Sequence, residues 1–430
     1  MKRLLDAAVF GVCMALGAVR LALCARLLRR SKHLIIMWDG GFGHTVSVIE
    51  AVRRLFAGEH PVVLVFSAHP FHNPYLGALW RDVHVLHLPL AWNFRLGSRL
   101  VRVGGVPWWL KPRLQPAVAG WLRRWTTAEV ISHDECYDRI EARYPADAVK
   151  AARRSLRWVP GWWALVSARR NPVYLPDRLR RRIHGRLEAV VPGCRGRTEQ
   201  PQRICCLYLR GKEGSLSSQR RVGSPPEAYL PAVELLIAQG YTVLVTGDRE
   251  VTAQQVRRTG GRLVPAWRLG VDAKLFSLFA QTEADIWIGD FGGGAWLPII
   301  NGIPMLVVNA FPPGNCTPGA WMYYKAVRDP HTDRIIPWPM LMRDAAYDHE
   351  LPEMEVLPNS ADEITAAVET FLCDVEASAD ARRGQAEVDV LPDYALMKHV
   401  ESRFSPAWLR AGNLDAADAW NALQLGHANP

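Results

Sequence analysis

The sequence lacks several features that would place it in a specialised class of protein. Its eight cysteines form no Cys-x-x-Cys pair and no disulfide framework, which predicts a reducing compartment. Adjacent Cys205 and Cys206 lie inside an apolar run and are predicted to be small buried hydrophobes. No internal repeat or low-complexity tract is present, and no segment has the paired Cys/His ligands or aromatic strand motif of a nucleic-acid module. Nucleic acid is therefore not an expected partner.

The chain also lacks an apolar run of spanning length. The uncharged run from Ala7 to Val19 is shorter than the ~20 residues that a transmembrane helix needs. A cleaved signal peptide is disfavoured because Leu23 occupies a position that requires a small residue. Basic residues flank the run on both sides, which suits a helix lying among anionic headgroups. Residues 1–30 are therefore predicted to associate shallowly with a membrane; a span, a signal peptide and a buried helix remain alternatives.

Length and charge set the number of domains and the class of partner. A chain of 430 residues exceeds one ordinary core and predicts two domains. The net charge of +10 favours anionic partners, such as acidic lipid headgroups or phosphorylated small molecules, although most Arg clusters are expected to be solvated surface. The 17 Trp residues predict that some rings lie at an interface or a membrane surface.

The first half begins with the pattern of a doubly wound sheet. A buried strand over His33–Trp38 is followed by a glycine turn and an amphipathic helix from about Thr45 to Phe56. Further strands are predicted over Val62–Ser67 and Val83–Leu88. The Trp-, Arg- and Pro-rich stretch from about 90 to 200 is predicted to supply helices that complete the domain, and then a linker near Pro192–Gln202.

The second half alternates strands and helices more clearly. The predicted strands are Ile204–Leu209, Thr242–Thr246, Arg262–Val264, Ala284–Ile288 and Met305–Asn309. Helices are predicted over Glu227–Gln239 and Asp272–Gln281, and a capping box at Ser360–Glu363 opens one that runs to about Val375. The fold class is therefore α/β, with two Rossmann-like domains expected to face each other across a cleft. The expected segments are a membrane-associating helix (1–30), a first domain (31–195), a second domain (203–375) and a helical extension packing back on the first domain (376–430).

The sharpest chemical signal is the turn Asp290-Phe291-Gly292-Gly293-Gly294 between a strand and a helix. Glycines allow a ligand to approach the backbone, and amides at a helix start attract anions. Arg210 ends the first strand of the second domain, so it is expected at the same sheet edge and suited to a phosphate. The alternatives are a tight turn that binds nothing and a surface salt bridge. The wider donor-binding set comprises Lys212, Arg220, Gly247, Asp248 and Asn309, with Arg249 nearby.

A matching turn in the first domain contains Gly40, Gly41 and Gly43. His44 is predicted at the start of the following helix, where the helix dipole favours a neutral imidazole that accepts a proton. Asp39 is the rival base or orients His44. A structural His cap is nearly as well supported. Ser132-His133-Asp134, in a predicted polar loop, is left without a role.

Taken together, these motifs resemble a bacterial glycosyltransferase family with the GT-B fold. The matching pieces are LYLR (207–210), the basic loop to 221, Tyr229, the segments 231–247 and 288–312, SADEI (360–364) and FSPAWL (404–409), besides the glycine turn at 40–44. The resemblance implies metal-independent transfer of a sugar from a nucleotide donor, with donor contacts in the second domain and acceptor contacts in the first. Asp290 departs from the small or hydroxyl residue common in related sequences, which implies contact with a ribose or sugar hydroxyl rather than with phosphate.

The absence of Asp-x-Asp removes the motif by which many glycosyltransferases hold a metal and a diphosphate. Arginine and helix amides are then expected to neutralise the leaving diphosphate, and no metal or other cofactor is predicted. The expected acceptor is a glycan or a lipid-linked glycan at the cytoplasmic side of the inner membrane. The alternatives are a nucleotide-sugar epimerase of the same fold, and a non-catalytic protein that binds a glycan, an anionic lipid or nucleic acid.

Overall fold

In a computed structural model, the structure describes residues 2–38, 42–67, 73–89, 91–96, 99–104, 111–142, 172–191, 203–211, 222–311, 320–336, 354–382 and 403–404. The chain forms two compact units, Met1–Tyr144 and Pro145–Pro430. Each unit is built on its own parallel sheet. The predicted α/β class is therefore confirmed.

The first unit contains a four-stranded sheet. Its strands are β1 (His33–Trp38), β2 (Val62–Ser67), β3 (His84–Pro89) and β6 (Glu129–Ser132), in the order β3-β2-β1-β6, and each pairs in parallel with its neighbour. A separate antiparallel hairpin joins β4 (Ala91–Leu96) to β5 (Arg99–Gly104). The helices are α1 (Lys2–Leu23), α2 (Ala25–Arg30), α3 (Phe42–Leu55), α4 (Lys111–Trp125) and α5 (His133–Glu141), with a 3-10 turn at Leu76–Ala78.

The central strands of this sheet are apolar throughout because both of their faces are covered. Residues 34–37 of β1 and 62–65 of β2 are fully buried. One face packs in a hydrophobic cluster that includes Leu34, Ile36 and Trp38, together with residues from α1, α2 and α4. Continuous hydrophobic runs are typical of such doubly covered parallel strands, which is why the sequence revealed them.

The second unit contains a seven-stranded sheet in the order β16-β12-β11-β10-β7-β8-β9, with all pairs parallel. Its strands are β7 (Arg203–Leu209), β8 (Tyr241–Gly247), β9 (Leu263–Pro265), β10 (Ile286–Asp290), β11 (Met305–Ala310), β12 (Ala320–Tyr324) and β16 (Arg403–Phe404). A small antiparallel sheet comprises β13 (Ala326–Asp329), β14 (Arg334–Ile335) and β15 (Glu355–Leu357). Cys205 and Cys206 on β7 are fully buried, as predicted.

The second unit has one helix before its first strand, and the other helices described there come between or after its strands. In chain order the helices are α6 (Asp177–Val190), α7 (Leu230–Ala238), α8 (Ala253–Arg258), α9 (Ala266–Leu269), α10 (Ala273–Glu283), α11 (Trp296–Asn301) and α12 (Ala361–Arg382), with 3-10 turns at Pro226–Tyr229 and Gly293–Ala295. The predicted capping box of α12 is present: Ser360 N donates to Glu363 Oε2 at 2.7 Å, and Glu363 N donates to Ser360 Oγ at 3.2 Å.

The structure differs from the sequence prediction between residues 90 and 200. The hairpin over 91–104 and strand β6 occupy part of a stretch that was predicted to be helical, so that prediction was wrong there. Helix α6 lies in the second unit, because its buried Ile183 and Leu187 form part of that core and the His184 ring packs on Phe279. The division between the units accordingly falls at 144–145, before the predicted linker.

The sequence predicts a membrane-associating helix at the start of the chain and a helical extension at its end. None of the helices in the described residues has the length and apolarity required to cross a membrane. Most of the predicted 376–430 extension lies outside the described residues; within it, α12 continues to Arg382 and Arg403–Phe404 pairs with β12 of the second unit.

Candidate functional site

The sheet of the second unit has one position where the chain reverses the side on which it adds strands. From β7 the chain adds β8 and β9 on one side, whereas β10, β11 and β12 follow on the other, so β7 and β10 are neighbours. Open parallel sheets bind ligands outside the carboxyl ends of their strands at such a switch point. Arg210 directly follows β7, and Gly292–Gly294 follow β10. The predicted donor residues therefore flank the switch point.

Arg210 and the glycine turn are in direct contact. The guanidinium Nη1 of Arg210 donates to the carbonyl oxygen of Phe291 at 2.9 Å. A Cβ atom placed on Gly292 would lie 3.0 Å from the same nitrogen, and one placed on Gly294 would lie 2.6 Å from the Tyr208 ring. Side chains at these two positions would crowd the arginine and the tyrosine. The predicted pairing of the arginine and the glycines at one edge of the sheet is thus present.

Asp290 supports this edge from inside the protein. Its carboxylate is fully buried and accepts hydrogen bonds from the Arg210 backbone amide at 2.7 Å, from Asn309 Nδ2 at 2.9 Å and from the Tyr229 hydroxyl. Burial raises the pKa of Asp290 to about 6, and these hydrogen bonds oppose the increase. The hydrogen bond from the Arg210 amide means that Asp290 fixes the backbone of Arg210, while the predicted contact with a ribose or sugar remains a prediction.

The loop at Gly223 packs directly against this carboxylate. A Cβ atom at Gly223 would overlap the Asp290 carboxyl group, at distances of 1.9 to 2.2 Å. Gly223 N also donates to the Arg210 carbonyl oxygen at 3.2 Å. Only glycine allows the chain to pass this close to Asp290, a requirement that the sequence alone did not indicate.

Asn309 is equally buried and ends β11 beside Asp290. Its backbone φ is +52°, in the left-handed region where asparagine is one of the tolerated residues. Its backbone and its side chain each form one hydrogen bond with Asn359. Asn309 N donates to Asn359 Oδ1 at 2.6 Å, and Asn359 N donates to Asn309 Oδ1 at 2.7 Å. Asn309 Nδ2 also donates to the Tyr229 hydroxyl at 2.9 Å. Asn309 therefore joins the strand ends to the start of α12.

The end of β8 contributes a more exposed part of the edge. Gly247 has a φ of +106°, and a Cβ atom there would lie 2.0 Å from the Leu209 carbonyl oxygen, so glycine is required. Asp248 is exposed, and its Oδ1 accepts a hydrogen bond from the Gly211 amide. Arg249 donates from Nε to the Arg210 carbonyl oxygen at 3.0 Å and from Nη2 to the Gly223 carbonyl oxygen at 3.1 Å. Arg249 thus links the segment after β7 to the loop at Gly223 by hydrogen bonds.

Lys325 is a cationic residue at this edge that sequence reasoning missed. Its Nζ donates to the Val222 carbonyl oxygen at 2.5 Å, and the residue is 3% exposed. Burial lowers the pKa of Lys325 to about 8, the nearby charge of Asp290 raises it, and Arg210 and Arg249 lower it further. A lysine between two short strands, β12 and β13, has no local signal that marks it as part of the site.

The sheet of the first unit has its own switch point, between β1 and β6. The chain adds β2 and β3 on one side of β1, and β6 pairs on the other. Gly43 and His44 lie in the first turn of α3, after β1, and His133 opens α5, after β6. The two imidazole rings meet edge to face, with centroids 5.4 Å apart and planes at 82°. Two histidines thus come together from the ends of neighbouring strands.

His133 is therefore a candidate residue that the sequence left without a role. The predicted polar loop is instead the start of a helix: Ser132 Oγ accepts from the Glu135 amide at 3.1 Å, and the Glu135 side chain accepts from the Ser132 amide at 2.5 Å. Burial lowers the pKa of His133, while Asp134, whose Oδ1 is 3.4 Å from Nε2, raises it. The Ser-x-x-Glu capping box was the available signal for this helix.

Five predicted residues, Asp39, Gly40, Gly41, Lys212 and Arg220, lie outside the described residues. Within the described ranges, no group of three or more His, Cys, Asp or Glu side chains is arranged to hold a metal ion.

Comparison with known proteins gave structural likenesses only. No family model matches the chain, and no curated protein matches it significantly. A glycosyl transferase of family 9 from Veillonella parvula is 10% identical with a TM-score of 0.44, over 80% of this chain and 98% of its own. The ADP-heptose LPS heptosyltransferase II of E. coli is 11% identical with a TM-score of 0.37, over 68% and 89%. The iron-containing dodecameric glycosyltransferase TibC of E. coli is 12% identical with a TM-score of 0.36, over 82% and 78%. Likenesses of this size do not establish the family.

Proposed function

We propose that this protein is a glycosyltransferase that moves a sugar from a nucleotide-sugar donor to a glycan or lipid-linked acceptor. The observation that carries the proposal is that each sheet presents a distinct chemical group at its switch point. The second unit offers an arginine beside a glycine turn, which suits a diphosphate. The first unit offers a pair of imidazoles, which suits removal of a proton. Transfer of a glycosyl group needs both functions.

In the proposed donor site, the diphosphate lies against Gly292 and Gly293 and within reach of Arg210. These three residues are partly exposed, whereas Asp290 and Asn309 are buried behind them. The buried pair holds the Arg210 backbone in place, which limits the reorganisation needed when the ligand binds. Exposed Asp248, at the end of β8, is placed to accept a hydrogen bond from a ribose or sugar hydroxyl. Lys212 and Arg220 remain proposed contributors of positive charge.

In the proposed transfer step, the oxygen of an acceptor hydroxyl forms a bond to the anomeric carbon of the donor sugar. The bond from that carbon to the diphosphate oxygen breaks, and the nucleoside diphosphate leaves with the electron pair. His44 takes the hydroxyl proton, with Asp39 as the rival base and Gly40, Gly41 and Gly43 on the acceptor side. His133 holds the His44 ring by its edge-to-face contact. Positive charge from Arg210 offsets the charge that develops on the diphosphate.

We also propose that the reaction takes place at the cytoplasmic side of a bacterial inner membrane. The support is the basic, Trp-rich character of the first half of the chain and its apolar N-terminal run. An acceptor carried on a lipid, or a glycan of the cell envelope, suits an enzyme held there.

The test is turnover by purified protein with a panel of nucleotide sugars, with and without lipid-linked and glycan acceptors. We expect release of a nucleoside diphosphate together with a glycosylated product, and loss of both in Arg210→Ala and His44→Ala. Full turnover in both variants would falsify the assignment of these residues. Conversion of the donor to an isomeric nucleotide sugar without an acceptor would instead identify an epimerase. Nucleic-acid binding with a steep salt dependence, and no affinity for any nucleotide sugar, would identify a non-catalytic basic protein.

A further inference from the structure

Helix α1 leaves one apolar face uncovered. Val12, Leu16, Val19 and Leu23 are 46%, 53%, 57% and 81% exposed. Their spacing of four, three and four residues places them along one side of a helix. Monomeric proteins rarely expose a contiguous apolar patch of this kind without an interaction that uses it.

Other residues of the same helix are packed into the first unit. Val9, Cys13 and Leu21 are buried, and a Cβ atom placed on Gly17 would lie in ordinary contact with Leu88 of β3, at 3.8 Å. The helix is therefore already anchored to the sheet by its inner side. That packing leaves about half or more of Val12, Leu16, Val19 and Leu23 exposed.

Helix α4, which covers the same face of the sheet, adds two exposed tryptophans. Trp121 and Trp125 are 44% and 63% exposed, and their ring centroids are 6.1 Å apart. The inner side of α4 packs in the same hydrophobic cluster as Leu21 and Leu28, and Thr126 Oγ1 donates to the Leu28 carbonyl oxygen at 3.0 Å. Helices α1, α2 and α4 thus cover one face of the sheet, and their outer residues lie on the same side of the unit.

Apart from Asp6 in the first turns of α1, the charged residues of these helices are all basic. Residues 7–30 and 111–125 contain no Asp or Glu. Six arginines of α1, α2 and α4 are exposed: Arg20, Arg26, Arg29, Arg30, Arg123 and Arg124. Exposed aliphatic and indole side chains on the same helices as exposed arginines match the boundary between acyl chains and acidic headgroups. A nucleic acid would bind the arginines, but it would not bury the exposed aliphatic side chains.

We propose that this surface, comprising Val12, Leu16, Val19, Leu23, Trp121 and Trp125 together with the six exposed arginines, docks on an anionic lipid bilayer. Helix α1 then lies in the plane of the interface, with its inner side on the protein. The proposal rests on the membrane location proposed above and is independent of the transfer chemistry.

The test is co-sedimentation of the full-length protein with vesicles of phosphatidylcholine alone, or of phosphatidylcholine mixed with phosphatidylglycerol. We expect binding to the mixed vesicles that weakens at high salt. The double variants Leu16→Ser/Leu23→Ser and Trp121→Ser/Trp125→Ser should each weaken it roughly tenfold or more. Arg29→Glu/Arg30→Glu should lower affinity for mixed vesicles only. Trp267→Ser, which removes a 51% exposed tryptophan from the second unit, is the matched control and should leave binding unchanged.

Three outcomes would overturn the proposal. Wild-type protein that stays in the supernatant with mixed vesicles rules out a lipid surface, and equal binding by all the variants places the contact elsewhere. Self-association in the ultracentrifuge that is lost in Leu16→Ser/Leu23→Ser, without vesicle binding, assigns the face to a second copy of the chain. Donor binding and thermal unfolding, measured on the same samples, show that each variant is folded. They also separate failure of this proposal from failure of the proposed function.

Discussion

The guanidinium of Arg210 and the carbonyl oxygen of Phe291 are 2.9 Å apart, which joins the residues that follow two neighbouring parallel strands. The Arg210 backbone amide is fixed as well, because it donates to Asp290 Oδ2 at 2.7 Å. An arginine held at both its main chain and its side chain loses little conformational freedom when a ligand binds. This preorganisation is the physical basis of the proposed diphosphate site.

Gly294→Ala should destabilise the second unit. The added Cβ would lie 2.6 Å from the Tyr208 ring, and overpacking of this kind costs about 1–3 kcal/mol. Chemical unfolding followed by circular dichroism measures the change. Gly185→Ala is the control, because this glycine lies in α6 with no atom within 4 Å of the added Cβ, so alanine should stabilise by roughly 0.5–1 kcal/mol. Equal effects in the two variants would contradict close packing at the glycine turn.

His44→Ala should lower kcat roughly 10²- to 10⁴-fold, the usual contribution of a general base, while donor affinity stays unchanged. His133→Phe keeps a ring against His44 but removes the imidazole nitrogens, so we expect a smaller loss of kcat at constant KM for the donor. Single-turnover and steady-state kinetics check both. The control is His84→Ala, because His84 is exposed and lies at the amino end of β3, away from the carboxyl edge that carries His44. A kcat for His44→Ala equal to that of the control would remove His44 from the mechanism.

Asp290 should make stability depend on pH in a particular direction. Burial raises its folded pKa from 3.8 to about 6, so the folded state holds the proton more tightly than the unfolded state. Its contribution to the free energy of unfolding is therefore fully present below about pH 4 and is lost as the pH rises through about 6. The free energy of unfolding falls by about 3 kcal/mol over this range.

The variant Asp290→Asn cannot ionise, so its deficit relative to wild type should be larger at pH 4 than at pH 7. Urea unfolding at several pH values measures the difference, with Asp362→Asn, an exposed aspartate of α12, as the control. A deficit that is the same at both pH values would contradict the raised pKa.

Glu50→Gln should destabilise the helix that carries His44. Glu50 is fully buried and accepts from Arg53 Nη2 at 2.7 Å, Arg54 Nε at 2.6 Å and Trp80 Nε1 at 3.0 Å. Removing one charge from such a buried cluster costs about 3–5 kcal/mol. Thermal and urea unfolding check the loss. Exposed Glu188→Gln should remain within about 0.5 kcal/mol of wild type, and a similar result for Glu50→Gln would show that the cluster contributes little.

The parallel sheets were predictable because their strands are buried on both faces and appear in the sequence as short apolar runs. The proximity of Arg210 to the glycine turn was also predictable, because parallel strands have their carboxyl ends at a common edge of the sheet. Both inferences depend on local sequence and on a general property of sheets.

What the sequence did not reveal depends on contacts between distant residues. Asp290 looked like a ligand contact, but its partners Arg210 and Tyr229 lie 80 and 61 residues away and bury it. Strand β6 has four residues and an exposed Glu129 at its start, so it shows no apolar run, and His133 after it looked like part of a loop. The hairpin over 91–104 lies in a Trp-, Arg- and Pro-rich stretch whose weak periodicity did not indicate the pairing of β4 with β5.

The proposed role of Arg210 and the glycine turn is to bind the diphosphate of a nucleotide sugar. Calorimetric titration of the full-length protein with a panel of nucleotide sugars tests it most directly. We expect one donor class to bind, and Arg210→Ala to weaken that binding by roughly ten- to a hundredfold, as the loss of a charged hydrogen bond of about 1.5–3 kcal/mol requires. Arg257→Ala, an exposed arginine at the end of α8, should leave affinity unchanged. Equal affinities for wild type and Arg210→Ala would show that Arg210 does not bind the diphosphate.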